Sequence, residues 1–170
     1  MDINKFAIIK ASANVPRRPT AIIGKNQQLW DLGMNHVDME TDRKVDEKIR
    51  QLDSQLHFVL VAEYFDESLV LLARLMCWDL TDVRYLKQNA RKSEKVSNIK
   101  KTARDHLTNW LKADFKLYKH FVEKLQALID KYGRDKMAQD VATLRSLNED
   151  LKSDCVMEVA DNTKLKGEFK

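Results

Sequence analysis

The residues of this chain able to do chemistry concentrate in two adjoining stretches. In the first, Glu63, Tyr64, Asp66 and Glu67 follow directly on an apolar run, residues 57–62. Carboxylates at such an edge can serve as a general base, accept hydrogen bonds from hydroxyls, or cap a helix and favour its positive N-terminal end. Capping is the expected use of Asp66 and Glu67. Glu63 carries two readings, a base or sugar contact and a structural salt bridge. The second stretch runs from Arg84 to Arg104. It holds eight basic residues and one acid, Glu94, so it carries +7 of a chain whose net charge is +4. Such a local excess suits a phosphate, a sulfate or another anion, and equally a solvated loop between helices. Lys87, Asn89, Arg91 and Lys92 are the candidates for anion contact there, arginine being suited to bidentate recognition.

Other reactive side chains point to less. His36, His57, His106 and His120 share no catalytic spacing, and none is assigned as a base. Cys77 and Cys155 lack metal-type spacing and read either as a disulfide pair or as two buried thiols. No metal site is expected. The basic stretch has little aromatic interleaving beyond Tyr85, so no nucleic-acid partner is expected either.

These residues need elements to position them. Hydrophobic residues make up 44% and charged residues 33%, with only 4 Gly and 2 Pro, a composition that leans towards helix and leaves few tight turns for an all-β fold. Residues 57–62 (HFVLVA) have the length and branching of one buried strand, and an apolar helical pattern resumes at Leu69. Strand, acidic turn and helix make a βα unit of an α/β fold, with a second short strand at 84–86. Asn26–Trp30 reads as a short helix ended by Asp31-Leu32-Gly33. Thr41 or Asp42 caps a helix with Val45, Ile49 and Leu52 on one face. Leu107 to Tyr132 reads as one long amphipathic helix stopped at Gly133. Its Trp and Tyr residues are expected in the core rather than as a sugar platform. A last helix carries Met137, Val141, Leu144, Leu147 and Leu151, and the two helices are expected to form an antiparallel hairpin. The expected organisation is an irregular segment 1–25, a domain 26–159 and a flexible tail 160–170. No apolar run is long enough to cross a bilayer, and no signal peptide or anchor is expected.

One long ordered block resembles a known family. Residues 57–92 carry an apolar run, Glu63-Tyr64-Phe65-Asp66-Glu67-Ser68-Leu69, an apolar helix ending in Cys77-Trp78, then Asp82-Val83, Tyr85 and Asn89-Ala90-Arg91. Upstream stand Asn26 and Trp30-Asp31-Leu32-Gly33. Downstream stand Trp110, Asp114, Leu117, Tyr118 and Phe121. Together these resemble the galactose 3-O-sulfotransferases of the galactosylceramide sulfotransferase type over residues 22–155, with Trp30 where the family has Phe.

The resemblance implies the later part of a P-loop-like sulfotransferase fold, mostly helical here. The implied reaction moves a sulfuryl group from 3'-phosphoadenosine 5'-phosphosulfate to the 3-hydroxyl of a terminal galactose, on a glycolipid or a glycan. Positioning and charge stabilisation carry such a transfer, and no metal is required. It implies cofactor contacts for Lys87, Asn89, Arg91 and Lys92, acceptor contacts for Tyr64, Asp66 and Glu67, and Glu63 as the one candidate base. It also implies a Golgi membrane protein. The family's donor-binding loops are expected ahead of the residue matching Asn26, and residues 1–25 contain neither loop. The chain is therefore expected to be incomplete and inactive alone. The competing expectation is a non-catalytic helical module that binds a protein partner or an acidic polymer.

Overall fold

The computed structural model describes residues 24–87 and 99–155, and among these the regular structure is entirely helical. Six α-helices follow in order: α1 (Gln27–Asp31), α2 (Asp42–Gln55), α3 (Phe65–Met76), α4 (Lys101–Trp110), α5 (Lys112–Tyr132) and α6 (Arg134–Cys155). Short 3-10 turns occur at Asp38–Glu40, Ala62–Tyr64 and Leu80–Val83. The described residues fall into two compact units, 24–59 with 99–126 and 60–87 with 127–155. Of the expected segments 1–25 and 160–170, only Gly24 and Lys25 lie within the described residues.

The first unit is built on heptad-like spacing. Val45, Ile49 and Leu52 on α2, and Ala113, Leu117 and Phe121 on α5, are buried with Leu29, Met34 and Met39 in one apolar cluster. Burying a large aliphatic or aromatic side chain contributes about 1.5–3 kcal/mol. Around this cluster, Asp42 pairs with Lys112 at 2.8 Å, Asp46 with Lys116 at 2.8 Å, and Asp53 with Lys124. The numbers rise together along both helices, so α2 and α5 run parallel. Each such partly exposed pair contributes little, about 0–1 kcal/mol, and the ladder mainly fixes the register.

A reciprocal cap joins α1 to α5. Both oxygens of Asp114 accept backbone N–H bonds, from Gln28 and Leu29, each at 3.0 Å. In return the Asn26 side-chain oxygen accepts the backbone N–H of Asp114 at 3.2 Å. Asn26 stands at φ 49, ψ 46 and is only 4% exposed. Asparagine is among the few residues that accept a left-handed backbone without large cost. The arrangement satisfies donors that the first turn of a helix leaves without a partner. It also corrects the expectation of one helix from 107 to 132. Asn26 takes the Asp114 N–H, and the chain leaves helical geometry at Leu111 (φ −102, ψ 27) before α5 begins.

In the second unit α6 packs on α3 and on the 3-10 turn at 80–83. Met137, Val141 and Leu144 are buried, as are Leu69, Val70 and Ala73 on α3. Gly133 (φ 99) separates α5 from α6 as expected, and Tyr132 Oη donates to Asp140 across that turn. α3 ends at Cys77, which occupies the left-handed cap position (φ 56) usually taken by glycine.

The expected strand at 57–62 does not form. Val61 is extended, at φ −110, ψ 122, but His57 lies in a bend, Ala62 already belongs to the 3-10 turn, and among the described residues no strand lies beside the segment. Both backbone polar groups of Val61 are satisfied locally instead. Val61 N–H donates to the buried Ser68 hydroxyl at 3.2 Å, and Val61 C=O accepts from Tyr64 N–H at 2.9 Å. The stretch 84–86 likewise forms no strand, because Tyr85 N–H donates to the Asn148 side chain at 2.9 Å. The unit is thus extended segment, turn and helix rather than βα. Cys77 and Cys155 are exposed free thiols, which corrects the reading of both as buried.

Asp114→Ala removes both acceptors at the start of α1 and is expected to cost about 2 kcal/mol. Chemical denaturation of the variant measures this; a loss under about 0.5 kcal/mol would mean that water replaces the cap at no cost.

Candidate functional site

The motif residues of the second unit converge on one carboxylate. Asp66 lies in the first turn of α3, and its side chain is 12% exposed. One oxygen accepts from Tyr85 Oη at 2.7 Å, and the other from Arg145 Nε at 2.7 Å. The Tyr85 ring meets the Phe65 ring edge to face, with centroids 4.9 Å apart. Three segments distant in sequence, around 65, 85 and 145, are thereby fastened at one point. Burial, followed by the hydrogen bond to Asp66, pushes the Tyr85 hydroxyl up to about 12. At neutral pH it is a firm donor and no base.

Around this point the sequence-derived candidates divide. Asp66 has both oxygens engaged within the protein. Glu67 and Tyr64 are half-buried at the start of α3, and Glu63 is exposed on the 3-10 turn before it. Lys87 is exposed at the edge of the described residues, while Asn89, Arg91 and Lys92 lie outside them. Arg145 and Asn148, which complete the arrangement, were not legible as partners. They stand on α6, 79 and 63 residues from their partners, beyond the reach of any local pattern. No group of three or more His, Cys, Asp or Glu side chains suited to a metal ion occurs among the described residues. No helix among them is long and apolar enough to cross a membrane.

Two stability measurements follow from this geometry. Asp66→Ala is expected to cost about 2 kcal/mol, since it strands the Tyr85 hydroxyl and unpairs Arg145, whereas Glu63→Gln leaves the melting temperature unchanged. Equal effects would show that the carboxylate at 66 fastens nothing. Alkaline titration addresses Tyr85. Its folded-state value lies above the usual tyrosine value of 10.0, so its contribution is complete below pH 10 and is lost as pH rises towards about 12. Tyr85→Phe removes that loss, and the stability gap between parent and variant should shrink across this window. A gap independent of pH would contradict the assignment.

Asn26 and Asp114 of the reciprocal cap, and Asp66 and Tyr85 of the junction in the second unit, are all motif residues, and comparison with known proteins covers the stretch that holds them. The sequence model of the galactose-3-O-sulfotransferase family matches residues 12–168. Galactosylceramide sulfotransferase of Mus musculus is 39% identical over 132 residues, 78% of this chain and 31% of the relative. The Homo sapiens protein of the same name is 38% identical over the same shares. Galactose-3-O-sulfotransferase 4 of Homo sapiens is 43% identical over 116 residues, 62% of this chain and 24% of the relative. The chain thus spans about a third of the length of the first two relatives. No solved structure matches it. With its ordered motifs and a family match running over most of its length, the chain belongs to the galactose-3-O-sulfotransferase family.

Proposed function

We propose that this chain contributes to sulfuryl transfer from 3'-phosphoadenosine 5'-phosphosulfate to the 3-hydroxyl of a galactose at the end of a glycolipid or glycan, in the Golgi. The observation that carries the reading is the identity of 38–39% with galactosylceramide sulfotransferases over 132 residues. The basic stretch after Tyr85 supports it chemically. A leaving phosphate and a sulfuryl group in flight need cations, and Lys87, Arg91 and Lys92, with Asn89 as a neutral donor, supply them. Asp66 acts in this reading as a positioning residue. Through Tyr85 it holds the start of the basic stretch. Tyr64 and Glu67 are the remaining acceptor contacts, and Glu63, exposed on the turn before α3, is the candidate base. Displacement at sulfur then needs only alignment of the acceptor oxygen with the leaving phosphate.

A second reading has one specific support. Leu75 (57% exposed), Met76 (48%) and Trp78 (45%) present apolar surface at the end of α3, as an interaction module would.

Titration calorimetry with 3'-phosphoadenosine 5'-phosphate separates the two. One-to-one binding that Arg91→Ala weakens about tenfold or more, at unchanged melting temperature, is the expected result. A folded, cooperatively melting chain that binds no nucleotide would overturn nucleotide contact by this chain and favour the interaction module.

A further inference from the structure

Tyr85 is gripped at three points. Its hydroxyl donates to Asp66, its ring meets the Phe65 ring edge to face, and its backbone N–H donates to the Asn148 side-chain oxygen at 2.9 Å. The first two act at the far end of a rotatable side chain and leave the direction of the backbone open. The third acts on the main chain itself. An amide N–H lies in the plane of its peptide, so a directed bond to it holds the plane that joins Arg84 to Tyr85.

The surroundings make this grip matter. Asn148 is half-buried on α6, three residues after Arg145, so the two share one helix face and bind Tyr85 and Asp66 side by side. The segment ahead of Tyr85 is closed on itself. Asp79 and Asp82 cap each other's backbone around the 80–83 turn, and Val83 is buried. Arg84 Nε donates to Thr81 C=O at 2.8 Å, which turns this cation back on the segment behind it. Lys87 is the next cation along the chain, and it is exposed. It stands two residues past Tyr85, so its Cα stays within about 7 Å of the Tyr85 Cα for any intervening dihedral angles. A peptide plane held at residue 85 therefore narrows the space open to the Lys87 ammonium. A cation placed in advance loses less freedom when it meets an anion.

We propose that Asn148 is a positioning residue for anion recognition, holding the main chain at Tyr85 so that Lys87 is presented to a phosphate of the sulfonucleotide. The proposal rests on the sulfuryl-transfer reading and assigns a role to a helix, α6, that the reading leaves idle.

Two measurements on the 170-residue chain test it. Amide hydrogen exchange, followed by NMR, examines the tether with no ligand present. Asn148→Ala should speed exchange at Tyr85 about tenfold or more while the amides of Val141 and Leu144 on α6 stay protected. Asn148→Asp, which keeps the acceptor oxygen, should restore the protection. Calorimetry with 3'-phosphoadenosine 5'-phosphate examines the consequence. Asn148→Ala and Lys87→Ala are each expected to weaken binding about fivefold, and the double variant should bind no more weakly than Lys87→Ala alone. A merely structural role for Asn148 would make the two losses multiply. Asn148→Leu, which keeps the bulk and removes the acceptor, takes the place of Asn148→Ala if the latter does not melt cooperatively. Unchanged exchange at Tyr85, unchanged affinity on loss of the Asn148 acceptor, or multiplying losses overturn the proposal and leave the transfer reading standing. A folded parent chain that binds no nucleotide overturns nucleotide contact by this chain, and the role of Asn148 with it, whatever the exchange shows.

Discussion

The second unit depends on the carboxylate of Asp66. Its two oxygens take one hydrogen bond each from Tyr85 and Arg145, residues 19 and 79 positions away along the chain. A carboxylate sequestered from water without donors would be costly, and here both donors come from separate segments. The extended residues ahead of α3, the segment at 84–86 and helix α6 therefore become mutually determined. Ser68, fully buried two residues further along α3, does the same for Val61. The N–H groups of Val61 and Tyr85, which a sheet would have paired, are met by side chains of this helix and of α6. This is how a family motif that reads as strand and turn comes to stand in a helical unit.

Much of the helical organisation was legible because it rests on apolar spacing. Val45, Ile49 and Leu52 mark one face of α2, and all three are buried. Gly133 announces the break between α5 and α6 because few other residues take a positive φ so readily. Two features escaped for the same physical reason. The apolar run 57–62 has the composition of a strand, but a strand requires a neighbour, and neighbours are not a local property. The interruption at Leu111 depends on Asn26, 88 residues before Asp114 in the chain. A distant side chain overrode a continuous helical pattern.

The candidate site was legible to a different degree. Asp66, Tyr85, Asn26 and Asp114 all stood out as members of an ordered motif, and each proves to hold the fold together through hydrogen bonds. Motif membership marked them as important without distinguishing a positioning role from a chemical one. Their partners Arg145 and Asn148 carried no signal, since a single Arg or Asn on a polar helix face is unremarked by any spacing rule. Trp110 was hidden differently. It was assigned to the core on the general behaviour of helix aromatics, but it is half-buried, with its ring edge beside Gly24.

The single non-helical residue between α4 and α5 acts as a pivot. Leu111 N–H still donates to Leu107 at 2.8 Å, and Leu111 C=O accepts from Phe115 at 2.9 Å, so the joint is bonded on both sides, and its dihedral angles, with the packing of buried Ala103, set the direction of α4. α4 is a rigid arm of 10 residues, about 15 Å long. A small rotation at the joint displaces the arm in proportion to distance from Leu111. Trp110, adjacent to the fulcrum, is nearly stationary, and His106, more than one turn out, sweeps further.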